Sequence, residues 1–133
     1  MKENWNEYRD YCRGQIYYAN LNPRFGHEQG GIRPVVILQN DVGNFFSPNV
    51  IVGTFTRQTS KKPKQPTHVL VDGVKGLDPS MCMLENIFTL DKRRLGRYVG
   101  KLTKEQMEDV DEALRISLHL EEGEYLPTEI EAP

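Results

Sequence analysis

The chain of 133 residues has few of the features that mark secreted, membrane-spanning or metal-dependent small proteins. It contains only two cysteines, Cys12 in a polar segment and Cys82 in an apolar run, which is too few for a disulfide framework or a cysteine-rich metal set. The three histidines lie far apart in the sequence. No run of about 18 apolar residues is present, and no apolar stretch follows Met1. We therefore expect a cytoplasmic protein with no cofactor, no metal and no membrane contact.

The length and the composition of the ends predict the domain organisation. Domains commonly contain about 100–150 residues, so residues 1–133 are predicted to form a single domain. The polar segment 1–12 and the acidic, proline-containing segment 123–133 are predicted to be loosely held tails. No internal repeat is visible in the sequence.

The charges are distributed unevenly, although the formal net charge is only −2. Residues 103–133 hold two of the 17 basic and ten of the 19 acidic side chains, which leaves fifteen basic against nine acidic in residues 1–102. The basic side chains form two clusters, within residues 57–64 and 93–101. Such clusters can form a surface that binds a polyanion. They are equally typical of lysines and arginines that keep exposed loops soluble.

The hydrophobic pattern predicts several short strands separated by turn residues. The predicted strands are 15–21, 35–38, 49–56, 67–71 and 81–90. The second is continuously apolar, which is typical of a strand buried on both faces. Residues 40–48 are predicted to form a turn, so that strand 49–56 pairs antiparallel with strand 35–38. Residues from 91 to 99 are predicted to be a basic connector.

The last predicted element is an amphipathic helix. Thr103 and Gln106 have the spacing of a capping box, in which each side chain satisfies a backbone amide at the start of the helix. Apolar or small residues then recur at helical spacing. They are Met107, Val110, Ala113, Leu114, Ser117 and Leu118. Short strands followed by one such helix predict a mainly β protein, a small, partly open antiparallel barrel closed by its C-terminal helix, although this pattern leaves an OB-type barrel open.

The most informative segment joins a glycine-containing loop to a strand. Glycines 30–31 precede Arg33, the apolar run 35–38 follows at once, and the next predicted strand ends at Thr56. A permanently charged guanidinium and a hydroxyl at neighbouring strand ends can bind a phosphodiester without a metal ion. Taken singly, each residue has an ordinary explanation, because such an arginine is typically a surface ion-pair residue and threonine is a common strand former.

Several short motifs in this region together resemble the MazF/PemK family of toxin endoribonucleases, most of all its Gram-positive-type members. They are Glu28-Gln29-Gly30-Gly31, Arg33-Pro34, Gln39-Asn40-Asp41 and Ser47-Pro48. The resemblance extends from Arg13 to Leu120 and implies an SH3-like barrel. It implies that Arg33 is catalytic, as a phosphate clamp and participant in proton transfer, and that the hydroxyl of Thr56 hydrogen-bonds the scissile phosphate. The group that deprotonates the 2′-hydroxyl stays open.

Further side chains are candidates for contacts with RNA. They are Phe25, Glu28, Gln29, Arg57, Lys61, Lys62, Lys64, Glu85 and Asn86. An aromatic ring can stack on an unpaired base, amides and carboxylates can bind base edges, and cations can bind phosphates. Each residue also fits an ordinary structural role, in an exposed polar loop or at a strand end. Close members of the family carry Gln where this chain has Asn86 and a basic residue where it has Phe88, so the cleavage sequence stays open.

The resemblance implies the toxin of a type II toxin-antitoxin system. Such a toxin cleaves single-stranded RNA, including mRNA, without a metal, by attack of the 2′-hydroxyl to give 2′,3′-cyclic phosphate and 5′-hydroxyl ends. The implied partners are a second copy in a homodimer and a cognate antitoxin with an acidic disordered tail. The alternatives are a gyrase-poison toxin of the same fold, which binds a protein and cleaves no RNA, and a catalytically idle SH3-like adaptor, because fold does not decide function.

Overall fold

The computed structural model describes residues 10–23, 31–57 and 65–120. In these ranges the chain forms six strands, two α-helices and one 3₁₀ turn. The strands are β1 Gln15–Asn20, β2 Ile32–Ile37, β3 Asn49–Arg57, β4 His68–Val71, β5 Ser80–Asp91 and β6 Leu95–Lys101. The helices are α1 Asp41–Phe46 and α2 Lys104–Leu118, and the 3₁₀ turn is Lys92–Arg94.

All six strands belong to one antiparallel sheet in the order β4-β5-β3-β2-β1-β6. Within the described residues the sheet is not closed, because β4 and β6 lie at its two ends. Helix α2 contacts β4 and β5. The prediction of a mainly β, partly open antiparallel barrel with a C-terminal helix is therefore confirmed, as is the antiparallel pairing of the second and third strands.

The centre of the sheet is buried on both faces, as the apolar run in the second strand predicted. Val35, Val36 and Ile37 are each 0% exposed. Val36 belongs to the cluster between the sheet and α2, whereas Val35 and Ile37 belong to a second cluster that contains residues of β1, β3 and β5. Because strand side chains alternate between faces, only a strand with a core on each side carries such a run.

Helix α2 begins as the capping box predicted. The hydroxyl of Thr103 accepts a hydrogen bond from the Gln106 amide at 3.1 Å, and the Gln106 side chain accepts one from the Thr103 amide at 2.8 Å. Val110 is buried against the sheet together with Ala113. The predicted apolar stripe was wrong at its end, because Leu118 is 50% exposed in the last turn of the helix.

Two segments differ from the prediction. The predicted turn at 40–48 contains α1, whose start is capped by the Asn40 side chain accepting a hydrogen bond from the Gly43 amide at 2.8 Å. Asparagine favours turns and helix starts for the same reason, its short polar side chain, so the residue type did not separate the two. The predicted connector beyond Asp91 contains β6, an edge strand with mostly exposed side chains and no apolar alternation.

The predicted N-terminal tail is described only from residue 10 onward. Tyr11 is 3% exposed, and its ring lies edge-on to that of Tyr17 at 5.1 Å between centroids, so this residue of the segment packs in the second hydrophobic cluster. The predicted tail 123–133 lies outside the described residues. No helix in the described part of the chain is long and apolar enough to cross a membrane.

A matched pair of leucines tests where the core lies. Leu84 is 0% exposed between the sheet and α2, so Leu84→Ala should lower the free energy of unfolding by about 2–5 kcal/mol through lost burial and a residual cavity. Leu118→Ala removes the same atoms from an exposed site and should change the free energy of unfolding by less than about 0.5 kcal/mol. Urea unfolding followed by circular dichroism measures both values, and equal losses would contradict this assignment of the core.

Candidate active site

The strand register brings the two predicted catalytic residues to neighbouring positions. In the pairing of β2 with β3, Val35 lies opposite Thr54. Continuing this register by two residues along both strands puts Arg33 opposite Thr56. Side chains two residues apart share one face of a strand, and directly opposed residues have Cβ atoms about 4.5–5.5 Å apart. The register therefore predicts that the guanidinium and the hydroxyl lie side by side on one face of the sheet.

Buried neighbours fix this position. Arg33 pairs with Ala19 on its other side, and Ala19 pairs in turn with Leu95. Thr56 pairs with Met81. Ala19, Leu95 and Met81 are all buried, whereas Arg33 is exposed. The chain thus presents a charged side chain to solvent from a row of residues that is held by the core.

Thr54 is a residue of this region that the sequence analysis missed. It is 2% exposed, and its Oγ1 is buried without a hydrogen-bond partner among the residues that the structure describes. Most buried polar side chains have a partner, so this hydroxyl, two residues from a predicted catalytic threonine, is an exception close to the candidate site. The signal in the sequence was the spacing of Thr54 and Thr56, which places both side chains on the same face of a strand.

Glu85 and Asn86 lie in a β-bulge of β5. Gly53 pairs with Ile87, but the next residue, Thr54, pairs with Met83, so three residues of β5 have no partner on β3. Glu85 and Asn86 are two of these three, and both are exposed. Bulges commonly turn side chains toward a functional site. The structure therefore gives both predicted RNA-contact residues an accessible position.

Two neighbours orient the carboxylate of Glu85. The hydroxyl of Thr67 donates a hydrogen bond to Oε1 at 2.7 Å, and Nε2 of His68 lies 2.8 Å from Oε2. Partial burial raises the pKa of Glu85, but the hydrogen bonds with Thr67 and His68 outweigh burial and hold the pKa below its ordinary value. The carboxylate is thus ionised and fixed at neutral pH, as an acceptor for a base edge requires.

The carboxylate of Glu85 also lies near a buried cysteine of β5. Cys82 is 0% exposed, and burial, with the nearby charge of Glu85, raises its pKa to about 12. A thiol in this state is protonated at neutral pH and acts as a small apolar core residue. Both Cys82 and Cys12 are free thiols.

Arg57 ends β3 and is exposed to solvent. One of its guanidinium nitrogens lies 3.2 Å from Oδ2 of Asp78, with the two side chains 78% and 75% exposed. A pair as exposed as this contributes about 0–1 kcal/mol, so a phosphate can replace the carboxylate at little cost. The other predicted RNA-contact residues lie outside the described residues. They are Phe25, Glu28, Gln29, Lys61, Lys62 and Lys64.

The second basic cluster lines a shallow groove of about 470 Å³ next to the site. The groove includes Ile32, which precedes Arg33, and three arginines from the 3₁₀ turn and β6. The guanidinium of Arg93 donates two hydrogen bonds to the carboxylate of Asp91. Hydrogen bonds from Arg93 lower the pKa of Asp91 to about 2. Arg97 lies over the ring of Tyr18, 4.9 Å from its centroid.

In residues 10–23, 31–57 and 65–120, no group of three or more His, Cys, Asp or Glu side chains is arranged to hold a metal ion.

Comparisons with known proteins identify the family of this chain. Residues 12–118 match the family described as PemK-like, MazF-like toxin of type II toxin-antitoxin system. The chain is 50% identical over 110 residues to the endoribonuclease EndoA of Bacillus subtilis (strain 168), covering 81% of this chain and 94% of that protein. It resembles the solved structure of a mycobacterial endoribonuclease in complex with its cognate antitoxin, with a TM-score of 0.71, 27% identity and coverage of 85% and 99% of the two chains. For the Mycobacterium tuberculosis toxin MazF-mt6, the TM-score is 0.66, the identity 30% and the coverage 81% and 99%. The chain therefore belongs to the PemK-like, MazF-like toxins of type II toxin-antitoxin systems.

Proposed function

We propose that this toxin is an endoribonuclease that cleaves single-stranded RNA, including mRNA, at selected sequences. The observation that carries the proposal is the register of β2 and β3, which predicts Arg33 opposite Thr56 at an exposed strand end. A 50% identical relative, EndoA, is an endoribonuclease, and the aligned region covers 94% of it. The sequence identity with EndoA favours an endoribonuclease over a gyrase-poison toxin. The pair of Arg33 and Thr56 favours it as well, because a toxin that only binds a protein does not need a guanidinium and a hydroxyl at one phosphate.

The proposed reaction is a transesterification within the RNA. The 2′-oxygen forms a bond to phosphorus while the bond from phosphorus to the 5′-oxygen breaks, which leaves a 2′,3′-cyclic phosphate and a 5′-hydroxyl. The 2′-hydroxyl loses its proton, and the 5′-oxygen gains one. Arg33 binds two phosphate oxygens, stabilises the charge that develops on them and takes part in proton transfer. Thr56 donates a hydrogen bond to the same phosphate.

Arginine is an unsuitable first base, because its pKa is about 12.5 or higher in ordinary surroundings. We therefore assign Arg33 to the phosphate and the proton delivered late in the reaction, and leave the first proton acceptor unassigned. Glu85 and Asn86 serve base recognition in this proposal, from their exposed place in the bulge. No step in the reaction as written uses a metal ion or a cofactor.

The proposal extends to partners and location. A mycobacterial relative has been solved in complex with its cognate antitoxin, and we infer that this chain likewise binds an antitoxin. An acidic disordered tail fits the positive excess of residues 1–102, because RNA and an acidic peptide present similar fields. We also infer a homodimer that forms the RNA groove across both subunits. A toxin that cleaves mRNA would act in the cytoplasm.

Removing the guanidinium should slow cleavage strongly. Arg33→Ala is expected to lower the rate of RNA cleavage by about 100-fold or more, because charge stabilisation at the phosphate is lost. The exposed position of Arg33 means that folding should be preserved. The control is Arg115→Ala, which removes the same charge from α2, where Arg115 pairs with Glu112 at 3.1 Å. A folded Arg33→Ala protein that cleaves at the wild-type rate would refute the assignment.

Cleavage should persist without divalent ions. Purified toxin is incubated with a long RNA of known sequence in excess EDTA, and both new ends of each fragment are mapped. We expect 2′,3′-cyclic phosphate and 5′-hydroxyl ends at a small set of sequences, because the attacking nucleophile is the neighbouring 2′-oxygen. Loss of activity in EDTA that returns with Mg²⁺, or a 5′-phosphate end, would rule out this mechanism.

The first basic cluster should make RNA binding depend on salt. A triple change of Lys61, Lys62 and Lys64 to Gln should reduce the slope of log affinity against log salt by about 2, since each phosphate contact on a single strand contributes about 0.7. Lys104→Gln on α2 serves as the control. Affinity is measured with RNA that carries 2′-O-methyl groups and resists cleavage. An unchanged slope in the triple variant would exclude this segment from the RNA-binding surface.

A further inference from the structure

A row of paired residues crosses three strands beside the candidate site. Leu95 of β6 pairs with Ala19 of β1, and Ala19 pairs with Arg33 of β2. One residue further along, Arg94 stands next to Asn20, where β1 ends. The backbone position of Arg33 thus depends directly on the end of β1, and the side chain of Arg94 reaches this end.

The guanidinium of Arg94 binds the backbone where β1 ends. Its Nη1 donates a hydrogen bond to the carbonyl oxygen of Asn20 at 3.0 Å and another to the carbonyl oxygen of Asn22. The 3₁₀ turn aims the side chain there, since the carboxylate of Asp91 caps this turn by accepting a hydrogen bond from the Arg93 amide at 2.8 Å. A charged donor thereby satisfies carbonyls at the point where regular strand pairing stops.

Two more hydrogen bonds join this strand end to the start of β2. The Leu21 amide donates to the carbonyl of Gly31 at 2.8 Å, and the Gly31 amide donates to Oδ1 of Asn22 at 2.8 Å. The backbone carbonyl of Asn22 therefore binds Arg94, and the side chain of Asn22 binds the amide of Gly31. Gly31 has a φ of 79°, a conformation that favours glycine, and lies two residues before Arg33.

We propose that Arg94 is a positioning residue for RNA cleavage. It fixes the backbone of Asn20 and Asn22 at the end of β1. The side chain of Asn22 in turn binds Gly31 before β2, and Arg94 thereby fixes the direction in which Arg33 leaves the sheet. The catalytic part of this inference rests on the proposed nuclease function, whereas the contacts with Asn20 and Asn22 do not.

The neighbouring residue Arg93 provides a matched control. Arg93 belongs to the same 3₁₀ turn and carries the same charge, but its side chain is 76% exposed and its hydrogen bonds go to Asp91. Arg93→Ala and Arg94→Ala therefore remove one positive charge from nearly the same place. Both variants should attract RNA more weakly, but only Arg94→Ala should remove the hydrogen bonds to the end of β1.

The first measurement is hydrogen exchange of single backbone amides by NMR, in the absence of RNA. In Arg94→Ala, the amides of Leu21 and Gly31 should exchange about tenfold faster or more than in the wild type, because the bonds that protect them open more often. In Arg93→Ala they should exchange at the wild-type rate. Arg94→Lys keeps the charge but lacks the planar donor set, so intermediate rates are expected. Unchanged exchange in both Arg94 variants would overturn the proposal.

The second measurement separates positioning from binding and from general stability. With saturating RNA, Arg94→Ala should lower kcat by about 10- to 100-fold, since a small misplacement of a catalytic group has effects of this size. Its KM should match that of Arg93→Ala, and Arg94→Lys should recover part of kcat. Faster exchange with a wild-type kcat would overturn the positioning role. If Arg94→Ala does not fold, Arg94→Lys decides both measurements, and the Arg33→Ala result tests the nuclease function separately.

Discussion

The antiparallel pairing of β1 with β2 is the interaction on which the rest of the structure depends. These two strands join the halves of the sheet, since β6 pairs on the outer side of β1 and β3 pairs on the outer side of β2. Their buried residues contribute to both hydrophobic clusters, so a slip of one residue would move side chains from one cluster into the other and disrupt the packing of both. That penalty fixes the register, and the register fixes where Arg33 stands.

The candidate site lies where this rigid pairing ends. Arg33 is exposed although its pairing partner Ala19 is 1% exposed, and Glu85 leaves the sheet through a bulge next to the buried Leu84. Both polar residues therefore stand on backbone that the core holds, while their side chains reach solvent. A site that must hold a flexible single strand benefits from such support, because precise placement of catalytic groups contributes to rate.

Local patterns in the sequence predicted much of this architecture. The alternating and continuous apolar runs located five of the strands, and Thr103 with Gln106 located the start of α2, because burial periodicity and capping act over a few residues. The same local rules failed at α1 and at β6. Asn40 fits a turn as well as a helix cap, and β6 owes its pairing to β1 rather than to a pattern of its own.

The sequence by itself determined the strand-rich fold, the C-terminal helix and the residue types at the site, including a guanidinium after a glycine pair and a hydroxyl at the next strand end. Only the tertiary structure decided that Arg33 shares a row with Ala19 and Leu95, that Glu85 is held by Thr67 and His68, and that Arg94 binds the end of β1. The physical reason is distance along the chain. These contacts join residues that are 14 to 76 positions apart, and their geometry exists only once the sheet has formed.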